Sequence, residues 1–168
     1  MKKIVWVLTA CVLLASGGDL EDGLSAYDKK DYKKAVALYQ KAADQGVASA
    51  QYLLGLMYDN GQGVKQDYFK AAALFQKAAD QGDVSAQYNL GLMYAIGQGV
   101  KQDDFKAAAL FQKAADQGDA SAQTKLGVMY ANGLGVRQNT SKAKELYGKA
   151  CDEGDNLGCR YYAILNKR

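Results

Sequence analysis

The side chains able to do chemistry are few, and their spacing excludes more than it offers. The chain has no histidine, so the usual general base of serine and cysteine nucleophile systems is missing. Ser141-Lys142-Ala143-Lys144 has the Ser-x-x-Lys spacing of a serine nucleophile with a lysine partner, but the sequence lacks the Ser-Asp-Asn and Lys-Thr-Gly segments that complete such a site. Cys151 and Cys159 stand eight residues apart. Two thiols can close a bridge or offer a metal two ligands, and without histidine a zinc ion stays short of ligands. The recurring Gly-x-Gly segments lack both the third glycine of a dinucleotide fingerprint and the Lys-Ser/Thr of a phosphate loop. Asp59, Asp67, Asp80 and Asp83 make no calcium loop; nearly all such aspartates fall at expected helix ends, where a carboxylate caps amides and suits the dipole. No catalytic residue, cofactor or metal is expected.

The amino terminus reads Met1-Lys2-Lys3, then an apolar run from Ile4 to Ala15, then Ser16, Gly17 and Gly18. A basic start, a short apolar stretch and small residues make a secretory signal, assigned to residues 1–17 with cleavage near Ala15-Ser16-Gly17. The run is well short of the ~20 residues that a membrane-crossing helix needs, and no later segment is long and apolar enough. No transmembrane segment is expected in the mature chain, which is placed in the periplasm or the medium. A second reading tethers the protein by a lipid on Cys11, because Leu8-Thr9-Ala10-Cys11 has the Leu-x-x-Cys form of bacterial lipoproteins, although Val12-Leu13-Leu14 stays apolar past the cysteine. From Gly18 onward 19 basic residues face 18 acidic ones, since the signal removes only Lys2 and Lys3. So even a balance leaves no basic footprint for nucleic acid. About 150 residues suffice for one domain with a substantial core.

The elements that position these residues come from a repeat of 36 residues. Residues 31–66, 67–102 and 103–138 are successive copies, the second and third identical at 28 of 36 positions; a truncated fourth copy runs from Asn139 to Arg168. Within the second copy, Phe69, Ala72, Ala73, Phe75 and Ala79 recur at helical spacing, with Asp67 as N-cap and Gly82 as C-cap. A second helix runs from Val84 to Ala95, capped by Asp83, with Ala86, Leu90, Met93 and Tyr94 as its apolar face. Gly97-Gln98-Gly99-Val100 is the loop that follows. Ala side chains and Gly91 let antiparallel helices approach closely, whereas Leu90, Tyr94 and Phe75 fill the space between pairs. One pair cannot bury such a face; stacked pairs can, as in a solenoid. The opening segment is read as a short helix, Leu24 to Lys29, and a longer one, Tyr32 to Gln45, which gives eight helices in four pairs. The fold class expected is all-α, an α/α superhelical solenoid of about four antiparallel helix pairs.

Ala86-Gln87-Tyr88-Asn89-Leu90-Gly91-Leu92-Met93-Tyr94, followed by Gly97-Gln98-Gly99-Val100 and Lys106-Ala107-Ala108, resembles the Sel1-like repeat, a relative of the tetratricopeptide repeat. The resemblance covers essentially all of residues 18–168. Residues 20–46 depart from it: their turn Lys29-Lys30-Asp31-Tyr32 is similar to the shorter turn of tetratricopeptide repeats, and repeats of the Sel1-like type fill 47–168. The family implies a superhelical adaptor or assembly scaffold, often outside the bacterial cytoplasm. Its cysteine-rich branch pairs cysteines eight apart, which implies a disulfide between Cys151 and Cys159, in keeping with an oxidising compartment. Some members of that branch are described as acting on β-lactams, so the alternative function is weak hydrolysis of cell-wall or β-lactam substrates. Ser141 counts against it, because it stands in the register of Phe69 and Phe105.

Positions fixed between copies should stack repeat on repeat, and positions that vary are free to meet a ligand. Leu54-Gly55, Leu90-Gly91 and Leu126-Gly127 are fixed. Tyr52, Tyr88, Thr124 and Arg160 share one varying register, and Leu53, Asn89, Lys125 and Tyr161 share the next. In tetratricopeptide repeats the matching positions line the concave groove. These eight residues are therefore the expected binding groove, with Tyr52 and Tyr88 equally able to pack on the next repeat. Aromatics beside polar groups suit a peptide. The function expected is an exported, monomeric, non-enzymatic scaffold that binds a protein or peptide, a cell-envelope component included.

Overall fold

The computed structural model describes residues 18–167; the expected signal at 1–17, its cleavage site and Cys11 lie outside them. Among the described residues there are nine helices and no strand: α1 over 18–28, α2 (Tyr32–Asp44), α3 (Ala48–Asn60), α4 (Tyr68–Asp80), α5 (Val84–Ile96), α6 (Asp104–Asp116), α7 (Ala120–Asn132), α8 (Thr140–Asp152) and α9 (Asn156–Asn166). Eight were expected. The ninth, α9, follows the fourth pair and packs on α8 and α7. The opening helix is also longer than Leu24–Lys29, reaching back to residue 18.

Helix starts follow from side-chain caps. Asp31, Asp67, Asp103 and Asn139 each accept a hydrogen bond from the amide three residues on, that of Lys34, Lys70, Lys106 and Lys142, satisfying one of the orphan donors of a first turn. Asp119 caps α7, and Asp155 accepts from both Leu157 and Gly158 at the start of α9. The C-cap of α4 is Gln81 rather than Gly82; the glycine follows at φ +93, where its missing Cβ makes the left-handed turn cheap.

The molecule consists of two compact units, residues up to Asp83 and residues from Val84. In the first, α2 packs on α3 and α3 on α4 around Ala35, Tyr39, Ala42, Ala50, Leu54 and Met57. In the second, α5 to α9 pack in succession, and α9 also touches α7; Ala107, Phe111, Ala114, Ala122, Leu126 and Met129 form the core. The buried stripe of α4 is Ala71, Ala72, Phe75, Ala78 and Ala79. Phe69, expected on that face, is 77 % exposed and its counterpart Phe105 is 76 % exposed. At ~100° per residue, position 69 points well away from Phe75, so recurrence marks a kept position without making it a buried one.

Each pair is keyed by an aromatic ring lying on a glycine. A Cβ on Gly23 would sit 2.6 Å from the Tyr39 ring, on Gly55 2.7 Å from Phe75, on Gly91 2.8 Å from Phe111 and on Gly127 2.6 Å from Tyr147. The spacing of glycine and ring is 20 residues in three pairs and 16 in the opening pair, which lacks the Gly-x-Gly-Val loop. That loop has its own contact: a side chain at Gly135 would strike the Asp104 carbonyl, so the loop backbone rests directly on the first turn of α6.

A polar clamp accompanies the keys at Gly55, Gly91 and Gly127. Gln51 and Gln87, both buried, accept through Oε1 from the side-chain amides of Gln81 (2.8 Å) and Gln117 (2.9 Å) at the following turn. At the third clamp the turn residue is Glu153, which lacks the side-chain amide that Gln81 and Gln117 donate. Gln123 therefore donates to it at 3.4 Å, and the Gln123 Oε1 is buried with no hydrogen-bond partner.

Two stability measurements test these contacts. Gly91→Ala should lower urea-unfolding stability by about 1–3 kcal/mol through overpacking, with part of the loss recovered when Phe111→Leu is added. Glu153→Gln should raise stability by about 1 kcal/mol, because it supplies the missing amide donor to Gln123; a lower midpoint would contradict the clamp.

Candidate functional site

The varying registers lie on α3, α5, α7 and α9, opposite the fixed Leu-Gly positions that are buried. The structure separates the eight expected residues into two kinds. Tyr52, Tyr88 and Tyr161 are half-buried and stack on core rings: Tyr52 on Phe75 and Tyr88 on Phe111, each with centroids 5.8 Å apart, and Tyr161 on Tyr147 at 5.1 Å. Burial, with the charges of Asp119 and Asp155, pushes the Tyr88 hydroxyl pKa up; burial and Tyr161 push that of Tyr147 up to about 12. Thr124 does not line a surface. It is 1 % exposed, because Gly158 lets α9 come so close that a Cβ there would lie 2.9 Å from the Thr124 hydroxyl.

Leu53, Asn89 and Lys125 are half-buried and Arg160 is exposed, so these four keep accessible surface. Asn89 is partly engaged: its amide donates to the Ser85 carbonyl at 2.8 Å. Asn89, Lys125 and Arg160 belong to the second unit, Leu53 to the first.

Leu53 also lines a recess that the sequence reading missed. In the first unit Leu24, Tyr27 and Asp28 of α1, Tyr39 of α2, Leu53, Leu56, Met57 and Asn60 of α3, and Gln62 of the next loop surround a cavity of about 310 Å³. The Tyr27 hydroxyl donates to Gln62 Oε1 at 3.2 Å, fixing one side of its mouth. It draws on three helices and a loop, so no local pattern marks it in the sequence.

The pairs of residues singled out for chemistry fall elsewhere. Ser141 and Lys144 share a shallow depression on α8, where the Lys144 ammonium lies 6.0 Å from the centroid of the Tyr162 ring. Cys151 at the end of α8 and Cys159 in the first turns of α9 are joined by a disulfide. Cys159 occupies the register of Gln51, Gln87 and Gln123, so the covalent link replaces the polar clamp in the last copy. Among the described residues no helix is long and apolar enough to cross a membrane.

Helices of 13 residues stacked in antiparallel pairs with a glycine key define a protein of the α/α repeat class. The particular family is also shown: Sel1 repeats match residues 9–47, 48–83, 84–119 and 120–155, and the chain belongs to the Sel1 repeat family. The opening pair falls inside the first matched copy despite its shorter turn. The chain is similar to the crystal structure of a protective antigen of uropathogenic Escherichia coli with an SLR fold, at 40% identity and a TM-score of 0.84 over 86% of this chain and 32% of that one. It is also similar to a Sel1 repeat protein from Oxalobacter formigenes, at 33% identity and TM-score 0.82, over 86% of this chain and 60% of that one. Helicobacter pylori cysteine rich protein B is 26% identical with a TM-score of 0.58, over 72% of this chain and 92% of that one. The chain thus spans about a third of the first of these proteins and three fifths of the second. Among curated protein sequences none matches. Proteins built from Sel1 repeats are generally interaction scaffolds and not enzymes.

The disulfide carries a quantitative expectation. Closing so short a loop should be worth about 2–3 kcal/mol in the chain-entropy account, so the double variant Cys151→Ser/Cys159→Ser should unfold at correspondingly lower urea. Equal midpoints with and without reductant would show that the link adds nothing.

Proposed function

We propose that this chain is an exported interaction scaffold that binds a protein or peptide partner through accessible side chains of its repeat helices, Asn89, Lys125 and Arg160 of the second unit foremost. The observation that carries this reading is a division of labour along those helices. Residues held constant between copies, Leu54, Leu90 and Leu126 with their glycines, are buried, whereas several of those that change, Leu53, Asn89, Lys125 and Arg160, keep accessible surface. On these helices the constant Leu-Gly positions serve packing, and the four varying positions named are the ones that packing leaves accessible. A repeat scaffold presents such surfaces as a matter of construction, and mixed apolar and polar groups give a peptide both buried area and register. Export is supported by the basic and apolar start of the sequence and by a disulfide, which is stable in oxidising compartments.

The test is a crosslinking pull-down from the bacterial envelope with residues 18–168 as bait. Asn89→Ala with Lys125→Ala should reduce recovery of a specific partner several-fold while the melting temperature stays within about 1 °C, since surface substitutions change stability little. Undiminished recovery would remove the face of the second unit from the binding surface.

A further inference from the structure

We propose that the recess of the first unit is a subsite for an arginine side chain of the bound peptide, with the Asp28 carboxylate as its counter-ion. The inference deepens the reading of this chain as a peptide-binding scaffold and rests on it, since Leu53, one of the accessible varying residues, lines the same recess. Its starting point is a charge that the fold does not need. Asp28 is the last residue of α1, where the helix dipole disfavours a carboxylate. Among the described residues its side chain has neither an ion pair nor a hydrogen-bond donor, although Lys29 and Lys30 follow it in the chain.

The repeat supplies two internal controls. Asp44, Asp80 and Asp116 also end their helices, but each accepts from a glutamine amide one turn back, at 2.8, 2.8 and 2.7 Å. Counted from the glycine of each key, Asp28 stands in the place of Asn60 and Asn132, with Ile96 in the copy between. Both asparagines donate to the carbonyl four residues back, that of Leu56 at 2.9 Å and that of Val128 at 2.8 Å. A carboxylate has no amide to give there. The register favours an uncharged residue, so the charge at position 28 answers to something other than packing.

The walls define what fits. Leu24, Leu53, Leu56 and Met57 line the recess with apolar surface, on which the methylenes of a long cationic side chain can lie while its charged end stays in water. Leu24 and Tyr27 are 43 % and 37 % exposed, so part of that surface is open to a ligand. The Tyr27 ring is held by an edge contact with Tyr32, centroids 5.2 Å apart, and by its hydroxyl bond to Gln62. A fixed aromatic wall suits a guanidinium, which stacks on such rings and is less strongly hydrated than an ammonium.

Asp28 is the charged residue among those that line the recess, and neither lysine nor arginine joins it. Burial raises the Tyr39 hydroxyl pKa first, then Tyr27 and Asp28, so the carboxylate is felt at the wall; the hydroxyl itself is buried and closed to a ligand. Asn60 spends its amide on Leu56, which leaves its oxygen to accept. An anion would be repelled. A metal ion would find one carboxylate where it needs several, and among the described residues no group of three or more His, Cys, Asp or Glu side chains could hold one. A recess of about 310 Å³ lies at the small end of ligand sites, the size for one side chain.

The experiment titrates N-acetyl-argininamide, its neutral isostere N-acetyl-citrullinamide, and N-acetyl-lysinamide into residues 18–168 carrying labelled leucine and methionine methyls, read by NMR. The arginine derivative should shift the methyls of Leu24, Leu53, Leu56 and Met57. It should bind about three- to fivefold tighter than the citrulline derivative, the factor that an exposed ion pair can give, with the lysine derivative between them. Asp28→Asn should erase the preference for arginine over citrulline. The same variant should melt at an equal temperature or up to about 3 °C higher, because it removes a carboxylate from a helix C-terminus. Equal binding of arginine and citrulline derivatives, tightest binding of the lysine derivative, shifts confined to other methyls, or a preference that survives Asp28→Asn would overturn the proposal. So would a lower melting temperature of Asp28→Asn, which would make the carboxylate part of the fold. A failed titration alongside a capture that still depends on Asn89 and Lys125 would sink the subsite alone, whereas a capture insensitive to all three substitutions would sink the binding surface with it.

Discussion

The contact on which the rest of this structure depends is a phenyl or phenol ring pressed onto a glycine of the helix it packs against. It occurs at Gly23 and Tyr39, Gly55 and Phe75, Gly91 and Phe111, and Gly127 and Tyr147. It fixes how closely two helices approach, and it fixes their register along the axis, since a ring fits over one glycine and not over the neighbouring leucine. Dense packing of this kind tolerates neither added nor removed atoms well. The same contact is built with two different chain lengths between its partners, so the connecting loop is adjustable whereas the key is not.

The polar clamp shows how a repeat drifts without losing its architecture. Gln51 and Gln87 are satisfied by amide partners; the third copy replaces the partner by a carboxylate and leaves an oxygen unpaired. The fourth copy abandons hydrogen bonding at that register and uses a covalent link between Cys151 and Cys159. Each change is local because each copy bonds chiefly to its neighbours.

The helix ladder is legible in the sequence, because caps such as Asp67 and Asp103 and the period of 36 residues act through nearest neighbours along the chain. The family follows from the same residues. Less legible is anything decided by the direction of a side chain around a helix or by the neighbour it meets. Phe69 recurs and yet points outward; Thr124 varies and yet is buried, because the glycine that brings α9 onto it lies 34 residues later. Tyr52, Tyr88 and Tyr161 fall in the same varying registers as Asn89 and Lys125, but their rings settle on core aromatics. The recess in the first unit needs α1, α2 and α3 together, which no local pattern announces.

Of the residues of α9 that the structure describes, Gly158 alone is buried. Tyr161 on Tyr147 and the close approach at Gly158 hold that helix, and the bond to α8 adds a covalent tie. Reduction would consequently act as a trimming signal more than as a denaturant. With the thiols free, the last turns would spend more time detached and open to proteases, while α5 to α8, locked by their own rings and glycines, would persist. The redox potential of the surroundings would then set the length of the protein found there.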